Sequence, residues 1–355
     1  MTIGQRIRLA RRANQMSQRA LAEAAGISAM AISKYERGSD IPSSSVLLQL
    51  ARSLEVPVEY FFRPLQQNVE VRAFRKHVSL GVKEQDAIQA RIQEWLERYF
   101  ELEDLLHIQG SPEVLPEIPV GSFDEVESAA EELRRRWNLG MDAIENLTWL
   151  IEDRGLKIGV VDGFDDFDAC TFKAREQPVI VTRAQIPGDR QRFNIAHEMG
   201  HLVLKISGAL KEEKAAHRFA GAFLVPASTA RHELGQKRSS LELHELALLK
   251  QKYGLSMQAW IYRAQDLEII SESTARNYFR FFRQQGWHRQ EPGAQIPEER
   301  PQRLKLLVYR ALAEDLISRS RAQELLGEPL NGWVTGEPHH DVFAAPSGHR
   351  YEHLD

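Results

Sequence analysis

The chain is almost devoid of cysteine: Cys170 is the single one among 355 residues. One thiol excludes a disulfide within the chain and is typical of a reducing compartment. The sequence also lacks any apolar run near the ~20 residues that a membrane-spanning helix requires. Its first residues lack the charged-then-apolar layout of a secretory signal. These absences predict a cytoplasmic protein that does not enter a membrane. Cys170 itself is interpreted as an inert residue near a strand, with a catalytic thiol as the alternative.

Charge is distributed unevenly along the chain, although the net charge is only −4. Residues 1–64 contain nine Lys or Arg against five Asp or Glu, a balance of +4, which leaves −8 for the remaining 291 residues. A basic surplus confined to one end is typical of a segment that meets phosphates. The length of 355 residues predicts two or three domains, so this basic segment is expected to be a domain of its own.

Residues 5–62 contain four short helical patterns with clear boundary signals. Ser17 and Ser28 are suited to cap two successive helices, with Gly26 providing the turn between them. Gly38 ends the second of these helices, and the Pro-Ser-Ser sequence that starts at Pro42 opens another. Two capped helices joined by a short turn containing glycine are typical of a helix-turn-helix unit.

This segment resembles the XRE or lambda-repressor type of DNA-binding domain, in the pattern Ser-Gln-x-x-Leu-Ala-x-x-x-Gly-Ile-Ser-x-x-x-Ile-Ser-x-Tyr-Glu-x-Gly that starts at Ser17. The resemblance implies a homodimer that binds a double-stranded DNA operator, with the helix from Ser28 to Arg37 in the major groove. The candidate DNA-contacting residues are Gln18, Ser28, Ala29, Met30, Ser33, Lys34 and, nearer the backbone, Arg37. A helical dimerisation module that does not bind DNA is the alternative.

The most specific stretch of the chain is a His-Glu-x-x-His sequence within an apolar run. His197 and His201 are four residues apart, so on a helix they lie on one face and can bind a single cation, usually Zn²⁺. Glu198 follows the first histidine directly, where a carboxylate can act as the base toward water. Two ordinary histidines on a helix are the alternative interpretation of this pattern.

A second amphipathic helix, starting twelve positions after His201, supplies the missing ligand. Its apolar positions recur at helical spacing and it stops near Pro226. A catalytic zinc site needs three protein ligands and one open position, and Glu213 in the first turn would complete a His₂Glu set. Glu212 is the rival for this third position. His217, one turn beyond Glu213, is placed to orient a ligand.

The two segments together resemble the ImmA/IrrE family of bacterial zinc metallo-endopeptidases, in which His-Glu-x-x-His is followed by E-x-x-A-[N/H]-x-F-A-x-x-[F/L]-L-x-P. The resemblance implies His197, His201 and Glu213 as zinc ligands and Glu198 as the catalytic base. Many members have Asn where this chain has His217. A protein substrate, typically a repressor cleaved in response to DNA damage or stress, is implied as well.

The expected fold class is α+β and mainly helical. It combines an all-α N-terminal domain, a zincin-like metallopeptidase domain with a small antiparallel sheet, and a helical C-terminal region. The three strands of the sheet are expected near residues 156–161, 169–172 and 178–182. The expected division is a helix-turn-helix domain (1–64), a linker and long helix (65–122), a peptidase domain (123–290), a C-terminal helical region (291–334) and a flexible tail (335–355).

Two further interpretations remain open. Aromatic residues alternate with arginines between Arg276 and Arg289, which favours a core helix with a solvated Arg face over a nucleic-acid surface. Fused proteins of this layout also resemble the antitoxin halves of toxin–antitoxin pairs, which bind their own promoter and a partner toxin. In that alternative the zinc site is structural or is active only when triggered.

Overall fold

The computed structural model describes residues 3–63, 80–108, 115–175, 177–327 and 330, and the described part is mainly helical. The α-helices, in chain order, are α1 (Ile3–Ala13), α2 (Gln18–Ala24), α3 (Ala29–Glu36), α4 (Ser44–Ser53), α5 (Val82–Leu105), α6 (Phe123–Arg136), α7 (Leu147–Asp153), α8 (Gly188–Val203), α9 (Glu212–Leu224), α10 (Ala227–Leu234), α11 (Leu243–Tyr253), α12 (Met257–Asp266), α13 (Glu272–Gln284), α14 (Arg303–Ala313) and α15 (Arg319–Leu326). The strands are β1 (Ile118–Val120), β2 (Lys157–Val161), β3 (Ala169–Ala174), β4 (Gln177–Arg183) and β5 (Leu204–Ile206). The fold is therefore α+β and mainly helical, as predicted.

Serine caps define the N-terminal helices. The side chains of Ser17, Ser28 and Ser43 accept hydrogen bonds from backbone N–H groups in the first turns of α2, α3 and α4. Helix α1 approaches α3 so closely that a Cβ added to Gly4 would lie 1.8 Å from the Tyr35 carbonyl oxygen. Only glycine fits there, so the packing of the helix-turn-helix on α1 depends on this position.

Helix α1 also packs on the long helix α5. Arg6 on α1 is buried and donates to the Glu97 carboxylate on α5 at 2.6 Å. Burial raises the pKa of Glu97 although the Arg6 charge opposes this. Arg91 on α5 donates both to the Ala13 carbonyl at 3.0 Å and to the Asp162 carbonyl after β2. Helix α5 thus contacts both the N-terminal helices and the sheet.

The three-stranded sheet has the order β2-β4-β3 and mixed direction. Strands β3 and β4 are antiparallel, with Cys170 opposite Val181, whereas β2 runs parallel to β4, with Gly159 opposite Val181. The prediction of an antiparallel set was therefore wrong for β2. Residues 162–176 connect β2 to β4 and include β3. This connection is long enough to bring the chain back to the starting end of β2, so that β4 can run parallel to β2. Near-continuous apolar runs in β2 and β4, typical of parallel strands covered on both faces, were the available signal.

A second sheet of two parallel strands joins β1 to β5, with Ile118 opposite Leu204. Strand β5 follows α8 without a break, so this sheet ties the end of α8 to the segment that precedes α6. The sequence predicts a helix from Asp142 to about Arg154, but α7 begins only at Leu147, where the Asn146 side chain caps it. An asparagine cap competes with helix continuation because its side chain replaces a backbone acceptor.

The main apolar core lies among α6, α8, α9, α11 and α12. Its central residues Leu133, Ile195, Phe219, Phe223 and Trp260 are fully buried. Helices α8 and α9 approach closely at Gly200, where an added Cβ would lie 3.1 Å from the Ala216 Cα. This contact fixes the separation of the two helices that carry the candidate metal ligands.

A separate compact unit contains residues Glu101–Ile108 and the described residues from Arg303 onward. Within its described part, α14 packs on α15, and Arg321 donates to both carboxylate oxygens of Glu101 at 2.5 and 2.6 Å. Two predicted features lie outside the described residues: a short strand, which the sequence Val-Glu-Val-Arg-Ala-Phe favours at residues 69–74, and the flexible tail (335–355). None of the described helices combines the length and the apolar character needed to cross a bilayer.

Candidate metal centre and DNA-binding helix

Helix α8 presents both histidines of the His-Glu-x-x-His sequence on one face. It begins after Pro187, and Asp189 in its first turn interacts favourably with the helix dipole. The Gly188 N–H donates to the Ile296 carbonyl at 2.8 Å, and an added Cβ at Gly188 would lie 2.0 Å from the Pro297 carbonyl oxygen. The start of α8, the helix that carries the two histidines, is therefore fixed against the segment around residue 297.

The three expected ligands lie together in the structure. His197 Nε2 lies 3.2 Å from His201 Nε2, and Glu213 oxygens lie 3.4 Å and 3.6 Å from these two nitrogens respectively. Atoms about 2.0–2.1 Å from one tetrahedral Zn²⁺ lie about 3.3–3.4 Å from each other. The donor atoms of His197, His201 and Glu213 therefore have the separations that three ligands of one zinc ion require.

The two rival carboxylates occupy different positions around His201. Glu213 faces the Nε2 atoms of both histidines, whereas Glu212 Oε1 lies 3.3 Å from His201 Nδ1. A carboxylate on the far ring nitrogen fixes the tautomer and orientation of a ligating imidazole. The geometry therefore favours Glu213 as the third ligand and gives Glu212 an orienting position.

Glu198 is buried, with 4% of its surface exposed. It lies near Cys170 on β3, and burial together with the Glu198 charge raises the pKa of the Cys170 thiol. A raised thiol pKa disfavours the nucleophilic thiolate. This environment supports the interpretation of Cys170 as an inert residue.

His217 stands beside the histidine pair on the next turn of α9. Its ring centroid lies 4.5 Å from that of His197, and its other neighbour is the Phe193 ring, stacked at 5.7 Å. Burial lowers the pKa of His217, although Glu213 and Asp266 oppose the shift. His217 therefore packs against one of the candidate ligands, and its lowered pKa favours the neutral form of the ring.

An ion network holds α9 against α6 and α12. Glu127 on α6 accepts from Arg218 on α9 and from Arg263 on α12, the latter through both carboxylate oxygens. Burial alone would raise the pKa of Glu127, but the two arginines outweigh it and lower that pKa. No local pattern in the sequence indicates this network, because Glu127 lies 91 residues from Arg218 and 136 residues from Arg263 along the chain.

We expect Glu127→Gln to reduce the free energy of unfolding by about 3–5 kcal/mol near pH 7, because it leaves the buried Arg263 without its counter-charge and removes one of the two carboxylates that pair with Arg218. The folded-state pKa of Glu127 lies below the unfolded value, so its stabilisation is present above pH ~4.5 and is lost as pH falls through the folded pKa. The deficit of the variant should therefore shrink below pH ~4.5 in denaturant titrations.

The matched control is Glu132→Gln, five residues further along α6, which removes a carboxylate that pairs with Arg135 and Arg136 at the surface. This change should leave the unfolding midpoint nearly unchanged. An equal loss of stability in both variants would contradict the assigned role of the buried network.

A second buried network anchors the start of α8. Arg192 forms an ion pair with Glu299, whose carboxylate also accepts from the Thr148 N–H at 2.7 Å. Gln191 exchanges two hydrogen bonds with the Glu299 backbone, at 2.8 and 2.9 Å. These contacts join segments more than 100 residues apart, so no local pattern in the sequence could indicate them.

The candidate DNA-contacting residues gather at one surface of the N-terminal helices. Ala29, Met30 and Lys34 on α3 are exposed, and Met30 exposes 64% of its surface, which is unusual for a large apolar side chain. Ser28 is exposed as well, but its hydroxyl caps α3, and the side chain of Arg37 donates to the Ser33 carbonyl. The candidates from Ser28 to Arg37 thus lie on α3 or at its two ends, whereas Gln18 lies on α2.

Gln18 has a more internal position than the others. Its amide donates to Glu36 at 2.8 Å, and Arg11 holds the same carboxylate through two hydrogen bonds. Gln18 is therefore oriented by α1 and α3 before any ligand binds, which is a favourable starting point for a directional contact.

The basic and aromatic stretch from Arg276 to Arg289 has the features of a core helix with a solvated Arg face. Ala275 and Phe282 are buried on the inner side of α13, and the Tyr278 hydroxyl bonds to the Leu241 backbone. Arg276, Arg280 and Arg283 are exposed. The observed burial agrees with the interpretation that the sequence favoured.

Comparison with known proteins assigns families to two segments. Residues 7–61 match the helix-turn-helix family, and residues 157–265 match the IrrE N-terminal-like domain, an M78 peptidase family. Similar proteins include an uncharacterized transcriptional regulator in the ATPase CF(0) region of Rhodospirillum rubrum, 43% identical over 65 residues, which are 18% of this chain and 60% of that protein. An uncharacterized HTH-type transcriptional regulator of Sinorhizobium fredii is 40% identical over 68 residues, which are 19% of this chain and 48% of its own length.

The chain thus spans about half to 60% of the length of these curated relatives. The matched stretches of 65 and 68 residues have the length of a single helix-turn-helix domain. Helix α8, which carries the His-Glu-x-x-His sequence, and helix α9 both lie within residues 157–265, the second family match. The chain therefore carries an XRE-type helix-turn-helix domain and, in the same polypeptide, an ImmA/IrrE-like domain of the M78 peptidase family.

Proposed function

We propose that the protein is a DNA-binding transcriptional regulator whose ImmA/IrrE-like domain is a zinc-dependent endopeptidase. The observation that supports this most directly is the set of three donor atoms from His197, His201 and Glu213, spaced as one tetrahedral ion requires. Three protein ligands leave a fourth position open, which is typical of catalytic rather than structural zinc sites. The substrate class implied is a regulatory protein, such as a repressor, cleaved in a stress response.

The residues around the site have distinct roles in this proposal. A bound Zn²⁺ supplies Lewis-acid polarisation of the scissile carbonyl. Glu198 accepts a proton from the attacking water, and its buried position keeps competing solvent away. Glu212 holds His201 in the tautomer that directs Nε2 toward the site. His217 packs against His197 and fixes the rotation of its ring.

The N-terminal domain supplies the DNA-binding half of the function. Helix α3 would enter the major groove of an operator, and one recognition helix reads only a short half-site. Two copies of the chain on an inverted repeat are therefore the assembly that we propose. Such a regulator works where the chromosome is, in the cytoplasm.

The zinc content of purified protein tests the metal assignment. We expect close to one equivalent per chain, lost in the His197→Ala/His201→Ala double variant because a single carboxylate cannot hold the ion. Glu213→Ala should weaken zinc binding more than Glu212→Ala, since removing an orienting partner typically costs only 10–100-fold in affinity. Elemental analysis and competition with a chromogenic chelator measure both effects.

The control is His232→Ala/His244→Ala, which removes two exposed histidines far from α8 in sequence. It should retain the full zinc content. Zinc that survives in the His197/His201 variant would place the site elsewhere, and a larger effect at Glu212 than at Glu213 would transfer the third-ligand role to Glu212.

A further inference from the structure

A cavity of 730 Å³ opens beside the candidate metal centre, on the side of His217. Its walls come from the start of α8, from α9 and α12, and from the segment of residues 287–295. Phe193 and His217, which contact each other and approach His197, form the wall nearest to the metal ligands. A chain bound across the metal site would therefore place a neighbouring side chain in this cavity.

Most charges in the cavity wall are already neutralised. Lys250 is buried between Asp189 at 3.0 Å and Glu291 at 3.1 Å, and Glu291 also caps the first turn of α12 through the Met257 N–H. Although burial lowers the pKa of Lys250, the two carboxylates raise it overall, so the lysine stays charged. This group is part of the wall and is not available to a ligand.

The remaining ion pairs of the wall also cancel. Arg218 lies 3.2 Å from Asp266 and contacts Glu127, which in turn binds Arg263. Arg190 points to Asp168, outside the cavity lining, at 2.8 Å.

Two cations in the wall have no partner among the residues that the structure describes. Lys214 and Arg289 are exposed, and neither forms an ion pair or a side-chain hydrogen bond with any residue that the structure describes. They belong to different parts of the wall: Lys214 follows the candidate ligand Glu213 on α9, whereas Arg289 lies in the 287–295 segment. The Lys250 group has one cation and two carboxylates, a balance of −1, and the other ion pairs cancel. The two unpaired cations therefore leave the wall with a balance of +1, so the cavity favours an anion.

Rigid aromatic rings form the apolar part of the lining. Tyr262 exposes 54% of its surface but is held against Phe279, with ring centroids 4.2 Å apart. Trp287 is fixed edge-on against Phe281 and Phe282. Preformed aromatic walls exclude water from a bound side chain and strengthen the charge interactions beside it.

We propose that this cavity is a specificity subsite that binds an acidic side chain of the peptide substrate, through Lys214 and Arg289. The proposal rests on the proposed peptidase function. Because Lys214 directly follows Glu213, the recognised Asp or Glu lies within a few residues of the scissile bond. The aromatic walls accept the methylene groups of that side chain.

The test uses the full-length zinc-loaded protein and decapeptide libraries in which one position at a time is fixed as Glu, Gln or Lys. Cleavage is followed by mass spectrometry. We expect one position near the cleaved bond at which Glu is preferred over Gln by about fivefold to tenfold, the size of two partly exposed ion pairs. The preference should decline as salt is added.

The Lys214→Ala/Arg289→Ala variant should lose this Glu-over-Gln preference through an increased KM for Glu peptides, and Lys214→Glu/Arg289→Glu should prefer Lys. The matched control, Arg280→Ala/Arg283→Ala, removes two exposed cations of α13 outside the cavity and should keep the preference. Cleavage without a charge preference, or a preference that survives the Lys214/Arg289 change, would overturn the subsite.

A second readout separates this inference from the proposed function. Fluorescence anisotropy of labelled Glu and Gln peptides, measured on metal-free protein, reports binding without cleavage. One outcome is that the protein binds the Glu peptide selectively, that the Lys214→Ala/Arg289→Ala variant loses this selectivity, and that zinc-loaded protein cleaves neither peptide. That outcome would refute the peptidase function, but the cavity would remain a binding site for acidic peptides. Equal weak binding of both peptides would refute the subsite itself.

Discussion

Replacing Glu198 by Gln is expected to abolish peptide cleavage while zinc and fold are retained. Gln has the size and shape of Glu but cannot accept a proton, so only the base is lost, and a positioned base contributes about 10²–10⁴-fold to a rate. The isosteric change matters because Glu198 is buried and a smaller residue would leave a cavity. Cleavage rate, zinc content and thermal unfolding of the same preparation measure the three quantities.

Cys170→Ala is the control for this substitution, because the Cys170 thiol lies near the base Glu198 and is the alternative candidate for a catalytic side chain. Cleavage should persist in that variant, since the raised thiol pKa disfavours the thiolate. If Glu198→Gln leaves the biological phenotype unchanged, peptidase activity is not the function. An antitoxin-like regulator that binds a partner toxin, with a structural zinc site, would then be the better description.

Lys34→Ala is expected to weaken specific DNA binding by about 1–3 kcal/mol, the usual cost of losing a residue that contacts a base. Lys34 is exposed on α3, next to the other predicted contacts, and the change removes no buried group. Gln18→Ala should have an effect of the same order, although part of its cost comes from the lost hydrogen bond to Glu36. Binding of full-length protein to an inverted-repeat duplex, measured by fluorescence anisotropy, provides the affinities.

Salt and a control variant show where the DNA surface lies. The logarithm of the affinity should fall linearly with the logarithm of salt concentration, because phosphate contacts release counterions. Arg52→Ala removes an exposed cation of α4 and should affect specific and non-specific duplexes alike. A footprint that survives Lys34→Ala but disappears when Arg276, Arg280 and Arg283 are replaced would make α13 the nucleic-acid surface.

The local elements of both domains could be predicted from sequence because their causes are local. A serine just before a helix can cap that helix by accepting a hydrogen bond from the backbone N–H three residues later, wherever the helix lies in the fold. Ser17, Ser28 and Ser43 cap their helices in this way. Two histidines four residues apart share a face of any helix, so the pairing of His197 with His201 required no knowledge of the fold.

The choice between Glu212 and Glu213 depended on the tertiary structure. Both residues lie in the first turn of α9, and their positions relative to His201 depend on how α9 rotates against α8. The contact at Gly200 and the Glu127 network set this rotation, and both involve residues distant in sequence. The direction of β2 was misjudged for a related reason, because strand direction follows from the route of the connection and not from the strand itself.

The sequence by itself determined the identity of the helices, their caps, the histidine pair and the family of each domain, because periodicity, capping and motif spacing act over a few residues. Only the tertiary structure decided which carboxylate faces both histidines. It also showed that Glu299 holds α8 and that Glu127 holds α9. The positions of Lys214 and Arg289 in the wall of one cavity likewise follow from the tertiary structure alone. These relations join residues as much as 151 positions apart, as between Thr148 and Glu299, and side-chain packing is the interaction that brings such residues together.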